Sequence, residues 1–396
     1  MGRPRIIFVD DEVNVLNALK RSLFSLRKTL DMVFENVPEK AVQKLKTEHF
    51  DIIATDMRMP KVDGSAILRV ASELQPQALR IVISGYSEEE TILKTVGLAH
   101  QFLAKPVSPE ELKKVIKRGF AIKDIVENED IRKLVGKLET IPSVPKVYNE
   151  LVKALNSNKA TPKMLAQIIM QDVGLSSKIL QLVNSAFFGL LRKVRSIEEA
   201  VVFLGIDTIR SLVLGVNLFK TMQNVSINGF SLSKRIVHCL NVASLARQIV
   251  LKENLENVEL DDVFLAGLVH DCGLVILIEN FPDLYRKVLK LSEEKKLPLF
   301  KSERYIFGVS HAEVGGYLLA MWGLPENIVR AVCFHHEPLK DCFNYINCTV
   351  VLHIADALVE KLDGDFSSSL NKEVIQKFSL QDKIKEFLGL LKGEDE

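Results

Sequence analysis

Short apolar runs recur through the first third of the chain, each separated from the next by a stretch with helical spacing. They are Ile6-Ile7-Phe8-Val9, Met32-Val33-Phe34, Ile52-Ile53-Ala54, Ile81-Val82-Ile83 and Gln101-Phe102-Leu103. Between and after them, residues 14–26, 39–46, 66–74, 88–96 and 110–120 read as helices. The alternation predicts a doubly wound α/β domain over residues 1–122, with a five-stranded parallel sheet covered on both faces. From Pro109 to Pro142 no proline intervenes. Leu112, Val115, Ile116, Ile122, Ile125 and Val126, then Ile131, Leu134, Val135, Leu138 and Ile141, recur there at intervals of three and four. This stripe predicts a joining helix over 110–141, at most about 45 Å long. Asn128-Glu129-Asp130 interrupts it and offers either a bend or a fresh N-cap. The helix either rests on one domain or pairs with its twin in a homodimer.

Beyond Pro142 no strand alternation persists, and the pattern predicts an all-α region. Helices are expected over 147–155, 162–171, 175–185, 197–204 and 207–221. Thr161-Pro162 reads as an N-cap with proline at the first helical position, and Asp207 as a cap of the last helix. Residues 138–228 lack clusters of acids or histidines and read as a packing and recognition surface. Residues 229–360 carry the polar chemistry described below. The tail, 361–396, holds a loop, a short amphipathic helix over 385–391 and an acidic end.

Composition narrows the function classes. A length of 396 residues suggests two or three domains. The formal net charge is +1, from 52 basic and 51 acidic residues. With no basic recognition helix in view, that balance argues against a DNA-binding output. No run of about 18 uncharged apolar residues predicts membrane insertion. The start, MGRPRIIFVDDE, lacks the apolar core of a secretion signal. The five cysteines show no CxxC spacing and fit a reducing compartment. A cytoplasmic location is the expectation.

Polar residues gather where the predicted strands end. Asp10 and Asp11 follow the first strand, Asp56 the third, Ser84 closes the fourth, and Lys105-Pro106 follow the fifth. In doubly wound folds the working site lies beyond the carboxyl ends of the strands. Three carboxylates there repel one another, and an oxygen-liganded cation such as Mg²⁺ resolves the repulsion. Together with DMRMPKVDG around Asp56, these residues resemble the response-regulator receiver family across the whole first domain. The resemblance implies Asp56 as phospho-acceptor, with Pro60, Asp63 and Gly64 shaping the following loop. It implies Mg²⁺ on Asp10, Asp11 and Asp56, Ser84 as the switch hydroxyl, Lys105 as the phosphate-contacting lysine and Phe102 as the switch aromatic. The phosphoryl source would be a histidine kinase or a small phosphodonor.

In the last third the histidines are informative. His238, His270, His311, His335 and His336 sit in polar or catalytic-looking positions, whereas His49, His100 and His353 look incidental. His270-Asp271 interrupts the apolar AGLVHDCGLVIL, and Asp356 lies in VVLHIADALVEKL. A carboxylate buried in such helices needs a partner, and imidazole with carboxylate suits Fe, Mn, Zn, Ni or Co. The stretches LETIPSVPKVYNELVKALN, DVGLSSKILQLVNSAFFG, SIEEAVVFLGIDTIRSLVL, GVSHAEVGGYLLAMWGLPENI and VCFHHEP resemble the HDOD family of the HD-domain superfamily. They cover nearly all of 138–357. By that resemblance one metal would be held by His238, His270, Asp271 and Asp356. A second, bridged by Asp271, would use His311, His335 and His336, as in the related HD-GYP phosphodiesterases.

Two departures from the HD-GYP pattern stand out. HDCGL puts Leu274 at the position of a substrate-facing lysine, and HHEPLKDCFNYINC lacks the GYP-containing loop. Three outcomes follow for this half: a regulatory module without metal, a metal-bound module without hydrolysis, or a phosphohydrolase. The main expectation is a response regulator whose HDOD half binds a downstream signalling protein. Its alternative is a receiver-controlled metal-dependent phosphohydrolase, with cyclic dinucleotide as the first substrate to test.

Overall fold

The computed structural model describes residues 3–76, 78–84, 98–110, 112–116, 131, 134, 146–156, 160–184, 193–220, 227, 230–341, 344–362 and 370–392. The chain divides into two compact units. One is Met1–Val144 with Tyr317–Glu326, and the other is Pro145–Gly316 with Asn327–Glu396.

The first unit is built on β1 (Arg5–Val9), β2 (Asp31–Glu35), β3 (Ile52–Thr55), β4 (Leu79–Ser84) and β5 (Gln101–Ala104). They form one parallel sheet in the order β2-β1-β3-β4-β5. Both faces are covered, which is why the strands read as continuous apolar runs rather than alternating ones. Ile6 and Phe8 of β1 and Ile52 and Ala54 of β3 pack on one side with Leu16 and Leu19 of α1 (Val13–Ser22). Ile7, Val9 and Ile53 pack on the other with Ala41 and Leu45 of α2 (Pro38–Thr47) and Ile67 and Ala71 of α3 (Gly64–Leu74). The helix expected over 88–96 lies outside the described residues, as does most of the 110–141 stripe. At its start, Leu112, Val115 and Ile116 are buried in the α1 side of the core.

The second unit is helical. Its N-terminal part holds α4 (Lys146–Asn156), α5 (Pro162–Met170), α6 (Val173–Val183), α7 (Ile197–Leu204) and α8 (Ile206–Lys220). The Thr161 hydroxyl accepts from the Met164 N–H at 3.2 Å and caps α5 as expected. Asp207 does not cap α8. It lies within the first turn, where its carboxylate is taken by Arg210 at 2.9 Å.

The C-terminal part holds α9 (Leu232–Lys252), α10 (Leu260–Val269), α11 (Cys272–Asn280), α12 (Pro282–Lys295), α13 (Leu299–Phe307), α14 (His311–Met321) as far as Gly316, α15 (Glu326–Phe334) from Asn327 and α16 (Cys348–Leu362). Two short helices follow, α17 (Lys372–Lys377) and α18 (Lys383–Lys392). α9 packs on α10 and α16, and α10 on α8 and α16. α10 and α11 are separate helices, so the apolar run AGLVHDCGLVIL breaks at His270-Asp271. Among the described residues no helix is long and apolar enough to cross a membrane.

Two glycines permit close approaches at the sites described next. A Cβ on Gly64 would stand 2.1 Å from the Asp56 carbonyl oxygen. One on Gly273 would stand 2.0 Å from the His311 carbonyl oxygen and 2.5 Å from the Gly315 nitrogen. The glycine of HDCG is therefore what lets the start of α11 press against α14, bringing Asp271 to His311.

Candidate metal centre

In the first unit the expected carboxylates converge. Asp10 and Asp56 are buried at the carboxyl ends of β1 and β3. With Asp11 they present oxygens within 4.8 Å of one another. Lys105 lies between them, its Nζ 2.8 Å from Asp10 Oδ2 and 2.8 Å from Asp56 Oδ1. Burial works against its charge, but the hydrogen bonds to the two carboxylates outweigh that and raise its pKa. Asp63 caps α3 by accepting from the Ala66 N–H at 2.9 Å, which shapes the loop after Asp56. Ser84 ends β4 and Phe102 lies in β5 opposite Val82; the side chains of both lie outside the described residues.

In the second unit all seven predicted ligands meet. His238 comes from α9, His270 and Asp271 from the break before α11, His311 from the first turn of α14, and Asp356 from α16. His335 and His336 follow α15 directly. Two triads, His238/His270/Asp356 and His311/His335/His336, each place donor atoms within 4.8 Å. His238 Nε2 lies 3.1 Å from Asp356 Oδ1. Asp271 lies between the triads, with Oδ2 3.3 Å from His270 Nε2 and Oδ1 3.3 Å from His311 Nε2. His336 Nε2 is 3.0 Å from His311 Nε2.

Three of the five tautomers are set from behind. His270 Nδ1–H donates to the Gly267 carbonyl at 2.8 Å, and His335 Nδ1–H to the Val332 carbonyl at 2.7 Å. A carbonyl only accepts, so the proton must sit on Nδ1. His311 Nδ1 meets Glu303 Oε2 at 2.6 Å. This is the arrangement of metal-ligating histidines, whose second nitrogen donates to a carbonyl or carboxylate. His335 Nε2 is then left buried without a hydrogen-bond partner, whereas His270 Nε2 faces Asp271 Oδ2 at 3.3 Å and Asp356 Oδ1 at 3.5 Å. His353 is different: Nδ1 donates to the His335 carbonyl at 2.7 Å, and Nε2 accepts from the Asn371 N–H at 3.0 Å. Both its nitrogens are used, so it braces the His335 backbone.

The field within the cluster is strongly polarised. Burial opposes the charged form of both His270 and His311. Asp271 nevertheless drives His270 well above its usual range, and Glu303 with Asp271 drives His311 up to about 10. Burial pushes His335 down to about 3, and burial with the neighbouring His335 and His311 pushes His336 well below its usual range. Asp271 stays ionised against burial because His270 and Arg235 face it. Positive charge is thus favoured between the two aspartates, whether carried by protons or by cations. The orphaned Nε2 lone pair of His335, two carboxylates and four further imidazoles fit one or two transition-metal ions.

Several participants escaped the sequence reading. Glu303, fully buried in α13, accepts from His311 twice, through Nδ1 and the backbone N–H at 2.8 Å. Its other oxygen accepts from the Tyr285 hydroxyl at 2.8 Å. Arg235 reaches Asp271 Oδ2 through Nη1 at 2.9 Å, and Cys239 lies with His270 and Asp271 as a third donor set. A Glu303→Gln variant should keep the Tyr285 bond but hold the His311 proton weakly. We expect about 10- to 100-fold weaker metal binding, read by titration with Mn²⁺; unchanged affinity would remove Glu303 from the site.

The centre opens into a narrow cleft lined by Arg235, Leu274, Leu299, Phe300, His336 and Glu360, with about 10 Å³ of free space. That is room for roughly one water. Phe300 stacks on His336 at 4.5 Å between ring centres.

Comparison with known proteins agrees with both halves. The response regulator receiver domain family matches residues 6–117, and the HDOD domain family matches residues 141–338. An uncharacterized protein of Treponema pallidum is 25% identical over 232 residues, 59% of this chain; the chain spans 44% of that relative's length. The crystal structure of an HDOD domain protein of unknown function from Geobacter sulfurreducens is 25% identical with a TM-score of 0.54, covering 67% of this chain and 89% of that one. A putative phosphohydrolase from Shewanella amazonensis shares the fold at 22% identity and a TM-score of 0.52, covering 67% and 93%. The helical unit that gathers five histidines and two aspartates and the α/β unit that gathers three carboxylates around a lysine therefore have one description: the chain belongs to the HDOD family and carries a response-regulator receiver domain ahead of its HDOD domain.

Proposed function

We propose that this protein is a receiver-controlled, metal-dependent phosphohydrolase, with phosphodiesters of the cyclic-dinucleotide class as first substrates. The observation that carries this reading is His335. Its ring is held neutral, its proton is committed to a backbone carbonyl, and its buried Nε2 lone pair has no hydrogen-bond partner among four histidines and two aspartates.

His238, His270, Asp271 and Asp356 would hold one cation, and Asp271, His311, His335 and His336 a second, from among Fe, Mn, Zn, Ni and Co. Bound there, the cations would supply Lewis acidity to a phosphoryl group. The chain's own residues do the rest. Gly267, Val332 and Glu303 keep the protons of His270, His335 and His311 on Nδ1. Phe300, stacked on His336, helps cover the cleft. A cyclic dinucleotide needs more than the present free space, so its entry requires the Pro298–Phe300 edge to lift.

Control begins at Asp56, phosphorylated by a histidine kinase or a small phosphodonor with Mg²⁺ on Asp10, Asp11 and Asp56. Lys105 would neutralise the incoming charge, and Ser84 and Phe102 would register it. The 110–141 segment would carry the change onward, with pairing of two copies as one route. A second reading, output through a downstream signalling protein, is favoured by exposed Met164 and Met170 on α5 and Val202 and Phe203 on α7, two helices that pack together.

The deciding experiment strips the full chain with chelator and reloads it with Mn²⁺ or Fe²⁺. Hydrolysis of bis(p-nitrophenyl) phosphate and of a cyclic dinucleotide is then followed with and without acetyl phosphate. Metal-dependent turnover that shifts on phosphorylation is expected. Two bound equivalents with no turnover would reject the hydrolase and leave the interaction reading.

A further inference from the structure

We propose that Arg235 is the phosphate-binding cation of this centre, its guanidinium spanning Asp271 on one side and a substrate phosphoryl oxygen on the other. The proposal rests on the hydrolase reading. It starts from a charge problem. The cleft presents Asp271 and Glu360 to any anion that enters, while Leu274, three residues after Asp271, adds only an apolar wall. Cations on the seven clustered residues would offset Asp271, but Glu360 still calls for a fixed positive partner on the cleft wall. Among the residues lining the cleft, Arg235 is the one with a permanent positive charge.

Its placement suits the task. Arg235 lies three positions before His238 on α9, on the same helix face, one turn from a ligand. Its side chain is 16% exposed, against 3% for Asp271, so it borders the cleft rather than the core. Among the described residues its side chain makes one hydrogen bond, Nη1 to Asp271 Oδ2 at 2.9 Å. A guanidinium is a rigid fork of several N–H donors. The remaining donors are therefore available to an oxyanion, the two-sided geometry for which arginine is better suited than lysine. The pair with Asp271 fixes the fork's direction before substrate arrives.

The probe is inorganic phosphate, titrated into the Mn²⁺-loaded full chain by calorimetry, with metal content measured on the same samples. Wild type should bind phosphate. Arg235→Gln should keep its metal and bind phosphate at least about tenfold more weakly, the loss expected for a charge-assisted hydrogen bond. Arg235→Lys, which keeps the charge and the pair with Asp271 but lacks the fork, should fall between them. An Arg235→Gln affinity within twofold of wild type at equal metal content would overturn the proposal and leave the hydrolase reading intact. Should Arg235→Gln lose metal or helicity, Arg235→Lys decides, and an affinity within twofold of wild type overturns the proposal. Failure of metal-loaded wild type to bind phosphate would instead sink the hydrolase reading, and this proposal with it.

Discussion

Asp56→Asn should take up no phosphoryl group from acetyl phosphate, while wild type becomes labelled. The step requires a carboxylate oxygen of Asp56 to attack phosphorus as the donor's leaving group departs, and an amide is not a competent nucleophile there. The fold should survive. Asp56 is one of three crowded carboxylates, so its neutralisation relieves repulsion, and Lys105 keeps Asp10 at 2.8 Å. Helical content and thermal midpoint should stay close to wild type. Every phosphate-dependent change in turnover or oligomeric state should vanish with the label. Equal labelling of the variant would show that the acceptor is another residue.

The double change His270→Ala with Asp271→Ala should reduce bound metal from near-stoichiometric to background. Both proposed cations lose Asp271, and one also loses His270, so neither set keeps its shared ligand. The change carries a structural penalty as well. Arg235 loses its carboxylate partner, and at a cleft edge that is only 16% exposed this costs less than the about 3–5 kcal/mol of a fully buried broken pair. Asp271→Asn, which still accepts from Arg235 but carries no charge, separates the two effects: metal should fall sharply while the fold is largely kept. Undiminished metal in a folded Asp271→Asn protein would show that the ligand set is wrong.

The α/β unit was legible because its physics writes directly into sequence. Strands buried on both faces read as unbroken apolar runs, and each run ends in the residue that lies at the sheet's carboxyl edge, such as Asp10 after Val9 and Asp56 after Thr55. The five histidines and two aspartates that cluster in the helical unit were legible as residue types that apolar helices rarely tolerate. Their support was not. Glu303 sits in LFKSERYIF, where an acid on an amphipathic helix reads as solvated until the buried face is known. Arg235 stands next to Lys234 in LSKRIVH, and only the register of α9 decides which of the two meets Asp271. The break between α10 and α11 carries no proline, and Gly273, which packs closely on α14, lies just beyond it.

The span of the ligand set has a mechanical consequence. His238 and Asp356, in hydrogen-bond contact, are separated by 118 positions of chain. A cation gripping both, along with ligands from the intervening helices, would act as a reversible cross-link closing several long loops at once. Such closures draw their stabilisation from the unfolded chain, which they constrain most when the loops are long. Because no such grip survives unfolding, the free energy of metal binding becomes free energy of folding. Melting of the full chain in constant excess Mg²⁺ should then show a helical transition that moves with transition-metal concentration, beside a receiver transition that does not.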